Sequence, residues 1–266
     1  MLANYHTHST YCDGKSSLEE TVLAAIERGF SALGFSGHGY TEFDVHTSMS
    51  DTRGYVSEVK RLKEAYKNKI QVYLGIEEDM LALVDRSDFD YIIGSSHYMY
   101  INGSYHPLDL SHDNITDCLK LFSGDPIAMA EEYYKRFCSY LKERKPDIVG
   151  HFDLITKFDE RFAPIFLGNT EYNAVAEKYL DTVAGDNLIF EVNTGAIARG
   201  YRSTPYPAEN LLHLLKKRGA GIILSSDCHN ADWIDCKFTE TKKYLRDIGF
   251  IDAYALYDGE FVKYKL

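Results

Sequence analysis

Apolar residues in this chain fall into short unbroken runs, separated by longer stretches in which they recur every three or four positions. The runs are "MLANYH" (1–6), "ALGFSGH" (32–38), "IQVYLGIE" (70–77), "YIIGSSH" (91–97), "DIVGH" (147–151), "LIFEVN" (188–193) and "GIILSSDCH" (221–229). Their shortness and lack of alternation predict strands buried on both faces, as in a parallel sheet. The stretches between them carry helix start and stop signals. "SSLEETVLAAIERG" offers Ser16 or Ser17 as N-cap, glutamates in the first turn and Gly29 as terminator. Further helices are predicted over 53–68, 125–144, 171–184, 207–218 and 238–248, the one at 207 opening on Pro207 and closing on basic residues before Gly219. The tail "YALYDGEFVKYKL" predicts a hairpin turning at Asp258 and Gly259.

Strand and helix alternate about seven times, which implies a parallel sheet with crossover helices, either closed or open. The polar residues decide between the two. His6, His38, Glu77, His97, His151 and Asp227 each sit at or just past the C-terminal end of a different predicted strand. In a barrel those ends converge on one face, whereas in an open sheet they spread along a line. Gathering six such groups favours the barrel. No linker, repeat or low-complexity stretch interrupts the pattern, so residues 1–266 are expected to form a single domain.

Composition narrows the function. At 266 residues with 45% hydrophobic content the chain has ample material for one large core. A formal charge of -11 disfavours nucleic acid and anionic membrane surfaces as partners and leaves a small molecule as the expected one. A phosphate remains possible where bound cations supply positive charge. Five scattered cysteines (Cys12, Cys118, Cys138, Cys228, Cys236) form no CxxC motif and read as reduced thiols. With no membrane-length apolar run and no leader pattern at the start, the expected compartment is the cytoplasm. Monomer and homodimer are both compatible with the pattern.

The candidate chemistry is that of a metal centre built from imidazole and carboxylate, without thiolate. In "HTH" the alternate residues His6 and His8 share one face of an extended strand, and Asp227 and His229 repeat this in the last strand. Glu77, central among the candidates, has two oxygens with which to bridge two ions. His46, His106, His112 and His213 lie in loops or a helix without such partners and read as surface histidines.

The ordered series "HTHSTYCDG", "GFSGH", "GIEEDM", "GSSH", "GHFDLI", "EVNT" and "SSDCH", running from residue 4 to about residue 230, resembles the motif series of the polymerase-and-histidinol-phosphatase (PHP) superfamily. The resemblance implies an α/β fold, a distorted seven-stranded (β/α) TIM-like barrel. It also implies three divalent ions (zinc, iron or manganese) at the C-terminal face. Carried onto matching positions, it implies the ligands His6, His8, Asp13, His38, Glu77, His97, His151, Asp227 and His229; Asp13 stands where many members carry histidine. Such a site implies phosphate-ester hydrolysis, in which water acidified by the ions attacks phosphorus in line, with Asp227 or His229 relaying the proton to the leaving oxygen.

Within the superfamily, "GHFDLI" followed by Lys157, and "EVNTGAIARGYRSTPYP", resemble the histidinol-phosphatase branch. That implies hydrolysis of L-histidinol phosphate to L-histidinol and phosphate. Arg199 is the leading candidate for the phosphate, with Lys157 and Arg202 behind it. Glu42 and Asp44 are candidates for the substrate's ammonium or imidazole, against the plainer reading of solvated loop charges. Tyr11 and Tyr201 are the aromatics closest in sequence to the motifs. Alternative readings are a phosphoesterase for another small ester, such as a nucleotide or phosphotyrosine, and a metal-stabilised barrel that binds a phosphorylated ligand without turnover.

Overall fold

A computed structural model describes all residues from Met1 to Leu266. Its central sheet contains parallel strands β1 (Ala3–Asn4), β2 (Ala32–Phe35), β3 (Gln71–Asp79) and β4 (Tyr91–Ser95). A small antiparallel hairpin follows, β5 (Tyr98–Ile101) with β6 (Ser104–Pro107). The parallel order then resumes with β7 (Ile148–Val149), β8 (Ile189–Asn193) and β9 (Gly221–Ser225). The chain ends in the antiparallel pair β10 (Asp252–Tyr257) and β11 (Glu260–Lys265). Eight helices accompany the strands: α1 (Leu18–Glu27), α2 (Thr52–Tyr66), α3 (His112–Lys120), α4 (Pro126–Arg144), α5 (Thr170–Asp181), the short α6 (Gly195–Ala198), α7 (Glu209–Arg218) and α8 (Phe238–Ile248).

The seven parallel strands curl into a distorted barrel. Closure between first and last is slight and lies beyond both strand ends, at a bridge between Thr7 and Cys228. There the His8 amide donates to the Cys228 carbonyl at 2.9 Å and the Cys228 amide to the His6 carbonyl at 3.3 Å. On the opposite side of the ladder, the Ser36 amide donates to the Thr7 carbonyl at 3.0 Å. The barrel therefore zips shut at its C-terminal face.

Local chemistry explains the helix ends. Ser17 is the N-cap of α1 and forms a complete capping box with Glu20. Asp125 caps α4 through the Ile127 and Ala128 amides, with Pro126 at its first position. Helix α7 starts at Glu209 rather than at Pro207, because the Ala208 amide is drawn to Asp153 at 3.0 Å and holds the preceding residues off the helix axis. Three elements were not expected from the sequence: the β5–β6 hairpin, α3 and the one-turn α6.

Inside the barrel, Tyr5, Tyr73, Tyr91, Ile93, Ile148, Ile189 and Ile223 pack with Ala255 and Leu256 of the C-terminal hairpin. The Tyr91 hydroxyl donates to the Tyr5 carbonyl at 2.6 Å and the Phe35 carbonyl at 3.1 Å, so a bulky polar ring is satisfied at the axis. Space for that ring depends on Gly75, where a Cβ would lie 2.2 Å from Tyr91 Cζ. The expected hairpin turn is present, with Asp258 and Gly259 both at positive φ (50° and 81°). Tyr5 donates to the Leu256 carbonyl at 2.6 Å and Gln71 to Asp258 at 2.6 Å, so β10 and β11 floor the N-terminal end of the barrel. The larger core lies outside the sheet, under the helices. No helix is long and apolar enough to cross a membrane.

Candidate metal centre

All nine candidate ligands meet at the C-terminal face. Glu77, buried near the end of β3, is the hub. Its Oε1 faces His151 Nε2 at 3.1 Å and His97 Nε2 at 3.3 Å. Its Oε2 faces His38 Nδ1 at 2.9 Å, His6 Nε2 at 3.3 Å and His8 Nε2 at 3.6 Å. Asp227 lies opposite, with Oδ1 at 3.1 Å from His8 and 3.7 Å from His6. Asp13 joins His8 (3.3 Å), His229 (3.1 Å) and His38 (3.7 Å). The turn that carries Asp13 is tight: a Cβ on Gly14 would lie 2.4 Å from the Ser9 amide nitrogen, so "CDG" lets the loop fold onto the "HTH" backbone.

Donor atoms within 4.8 Å of one another form four overlapping groups: His8, Asp13, His38 and His229; His6, Glu77 and His151; His6, His8 and Asp227; His38, Glu77 and His97. Several of these atoms are buried and have no hydrogen-bond partner, namely His6 Nε2, His8 Nε2, Glu77 Oε2 and Asp13 Oδ1. Buried polar atoms left unpaired are costly. Here they converge, and they are of the hard and borderline kinds that divalent cations select. The residues fit a metal centre.

Electrostatics agree. Burial alone would raise the carboxyl of Asp227, yet Arg199 and His6 hold it well below the ordinary carboxylate range. Glu77 is held down in the same way, by His6, His97 and His38 against its burial. Conversely, burial opposes charge on His6, but Glu191, Glu77 and Asp227 raise it to about 10; Glu77 and Asp79 raise His97 to about 9. The cluster therefore attracts cations, and a divalent ion competes with those protons. His229 differs: burial and neighbouring His8 push it down to about 4, leaving a neutral ring.

Two carboxylates behind this layer were not singled out from the sequence. Glu191 accepts from His6 Nδ1 at 2.6 Å, and Asp79 accepts from the His97 amide at 2.8 Å and its Nδ1 at 3.2 Å. Such contacts fix which ring nitrogen is free to ligate and how the ring points. The signal was available: Glu191 interrupts an apolar run, and Asp79 follows Glu77 on the same face of β3.

The centre opens into a cavity of about 230 Å³, whose wall includes Asp109, Leu110, Leu154, Lys157, Arg199 and Tyr201. Arg199 reaches in from the end of α6, with Nη2 at 2.8 Å from Asp227 Oδ2 and Nη1 at 3.0 Å from the Asp227 carbonyl. Other sequence candidates lie elsewhere. Arg202 is buried outside the wall, donating to Thr156 at 2.7 Å and Asp153 at 3.4 Å, so it braces a loop. Glu42 is exposed and off the wall. Asp44 is occupied by Tyr98, Thr47 and the His46 amide. Tyr11 packs on Tyr55 with ring centres 5.8 Å apart, away from the cavity, whereas Tyr201 lines it.

Comparison with known proteins places this geometry. A chain of Schizosaccharomyces pombe named "Probable histidinol-phosphatase" is 26% identical over 94% of this chain and 87% of its own length. The Bacillus subtilis histidinol-phosphatase is 22% identical over 85% of this chain and 92% of its own. A crystal structure of histidinol phosphate phosphatase from Lactococcus lactis, complexed with zinc, L-histidinol and phosphate, superposes with a TM-score of 0.73 at 19% identity, covering 98% of each chain. The barrel architecture is thus shared. The family model described as PHP domain matches residues 4–195, well over half of the sequence, and the chain belongs to that family.

Proposed function

We propose that this protein is a metal-dependent phosphoric monoester hydrolase that converts L-histidinol phosphate to L-histidinol and inorganic phosphate, all 266 residues serving one metallophosphoesterase domain. The observation that carries the reading is the convergence of nine metal-type donors on a cavity that also holds a guanidinium and an amine. Full-length relatives that bear the histidinol-phosphatase name support the substrate.

We read the overlapping donor groups as room for up to three ions: His6, His8 and Asp227 would hold one, Asp13, His38 and His229 a second, and Glu77 with His97 and His151, which both face its Oε1, a third. Zinc, iron and manganese all suit these ligands. Such ions supply Lewis acidity at the phosphoryl oxygens and lower the pKa of water toward ~7. The chain's own groups do the rest. Arg199 and Lys157 neutralise the ester's charge from the cavity wall. Asp227 or His229, both on the cavity wall, would relay the proton from the attacking water to the leaving alkoxide.

The test is phosphate release from L-histidinol phosphate, beside an aryl phosphate and several nucleotides, with bound metal counted in the same sample. The expected result is a kcat/KM for histidinol phosphate at least roughly 100-fold above the others, in line with the discrimination a polar substrate contact provides. Comparable slow rates on every ester would overturn the substrate assignment.

A further inference from the structure

Among the ionisable groups of the cavity wall, most belong to the metal cluster or are committed to it. Asp79 is occupied by His97, and Arg199 by Asp227. One carboxylate and one amine remain, side by side: Asp109, from the segment between β6 and α3, and Lys157, from the turn after His151. Lys157 Nζ lies 3.0 Å from Asp109 Oδ2 and 2.7 Å from the Asp109 carbonyl. Their side chains are 9% and 18% exposed, Asp109 being the more open. The rings of Phe158 and Tyr201 flank the amine at 5.6 and 5.5 Å.

A carboxylate on the wall of a cavity built for a phosphate dianion is unfavourable by simple repulsion. It is explained when the ligand itself carries a cation. In histidinol phosphate two carbons separate the ammonium from the ester oxygen, so the substrate presents a cation and an anion close together, as the wall does with reversed signs. We propose that Asp109 is the specificity residue for the substrate's ammonium group, and that substrate binds by exchanging partners with the Asp109–Lys157 pair. The ammonium takes Asp109, and the freed Lys157 Nζ turns to the phosphate. This rests on the histidinol phosphate reading and adds to it: the site selects phosphate monoesters with a neighbouring ammonium. The retained bond from Lys157 to the Asp109 carbonyl means that the amine keeps an anchor when the carboxylate is neutralised.

The experiment compares wild type with Asp109→Asn, both metal-loaded, on two matched pairs of esters. One pair is L-histidinol phosphate and its deamino analogue; the other is phosphoethanolamine and ethyl phosphate. Wild type is expected to favour the amine-bearing member of each pair. Asp109→Asn should lose that preference by roughly 10- to 100-fold in the ratio of kcat/KM, the range for one charge-assisted contact, with the amine-bearing esters falling and the amine-free esters holding or rising as Lys157 is released to the phosphate. If both members of each pair fall by the same factor, Asp109 merely positions Lys157 and the proposal is wrong; if neither falls, it is also wrong. Asp109→Ser repeats the comparison should the asparagine variant fold poorly, and Asp109→Glu should retain part of the preference. Failure of the substrate assignment reads out separately, as equal wild-type rates on histidinol phosphate and phosphoethanolamine.

Discussion

Replacing Glu78 by glutamine removes a charge that faces away from the cavity, yet ties the strand carrying Glu77 to the outer helices. Alternation along β3 points Glu77 and Asp79 inward and Glu78 outward. There its buried carboxylate accepts from Arg144 Nη2 at 2.8 Å, the Tyr140 hydroxyl at 2.8 Å, the Val84 amide at 2.9 Å, and Arg86. Burial would raise this carboxyl, but Arg144, Arg86, the Val84 amide and Tyr140 bring it down to about 2. Against an ordinary value of 4.5, that shift corresponds to roughly 3 kcal/mol in favour of the folded state. Arg86 and Arg144 are 25% and 29% exposed, and screening trims this to about 2–3 kcal/mol, or roughly 4–6 °C in Tm at this chain length. Because the folded value lies below the unfolded one, the contribution is fully present above about pH 4.5 and is lost as pH falls toward about 2. Thermal unfolding of wild type and Glu78→Gln from pH 7 to pH 2.5 should therefore show curves that start apart and converge across that window. The cavity histidines and carboxylates titrate in both proteins and cancel in the difference. A gap that stays constant down to pH 2.5, or no gap at pH 7, refutes the reasoning.

Three further outcomes are expected. Glu191→Gln should weaken metal binding by roughly 10- to 100-fold in chelator competition, because the amide is neutral and has one acceptor oxygen where the carboxylate has two, so His6 is oriented less firmly; unchanged affinity would show that the 2.6 Å contact is incidental. Gly75→Ala should destabilise the fold by about 3 kcal/mol or more in urea titration, since the new methyl overlaps the Tyr91 ring at the barrel axis and displaces its two hydrogen bonds; a variant of wild-type stability would contradict the packing. Removing metal with a chelator should speed hydrogen exchange at the His8 amide far more than at Ile76 in the middle of β3, and equal acceleration at both would mean that the ions do not hold the barrel seam.

The sequence made the barrel readable because parallel strands covered on both faces must be apolar throughout, and all seven runs contain a strand. Most strands are shorter than their runs, β3 alone reaching past its run to Asp79. "DIVGH" pairs as a strand only at Ile148 and Val149, with the Gly150 amide still donating to the Gly94 carbonyl at 2.9 Å just before His151. The residues that cluster at the C-terminal face were legible for the same reason: a polar residue at the end of a buried strand has few other uses. The β5–β6 hairpin was missed despite its Asn102-Gly103 turn, both residues at positive φ, a strong signal overshadowed by the larger strand-helix repeat. Charges in loops were the least legible. Nothing in the spacing of Arg202, Glu42 and Asp44 distinguishes a brace, a solvated group and a turn acceptor from a wall residue, and Asp109 became visible only once Lys157 was seen beside it.

The seam between first and last strand also sets when this protein becomes an enzyme during its synthesis. His6 and His8 leave the ribosome among the earliest residues, but the groups that complete their set, Asp227 and His229, come more than 200 positions later; beside them, the Asn4 side chain finds Ser226 across 222 residues. β1 can pair with β2 early, but its seam with the last strand forms only after the end of that strand has been made. A nascent or prematurely terminated chain that stops short of residue 229 holds histidines but no finished donor ring. The donor ring is thus complete only when the two ends of the chain have met.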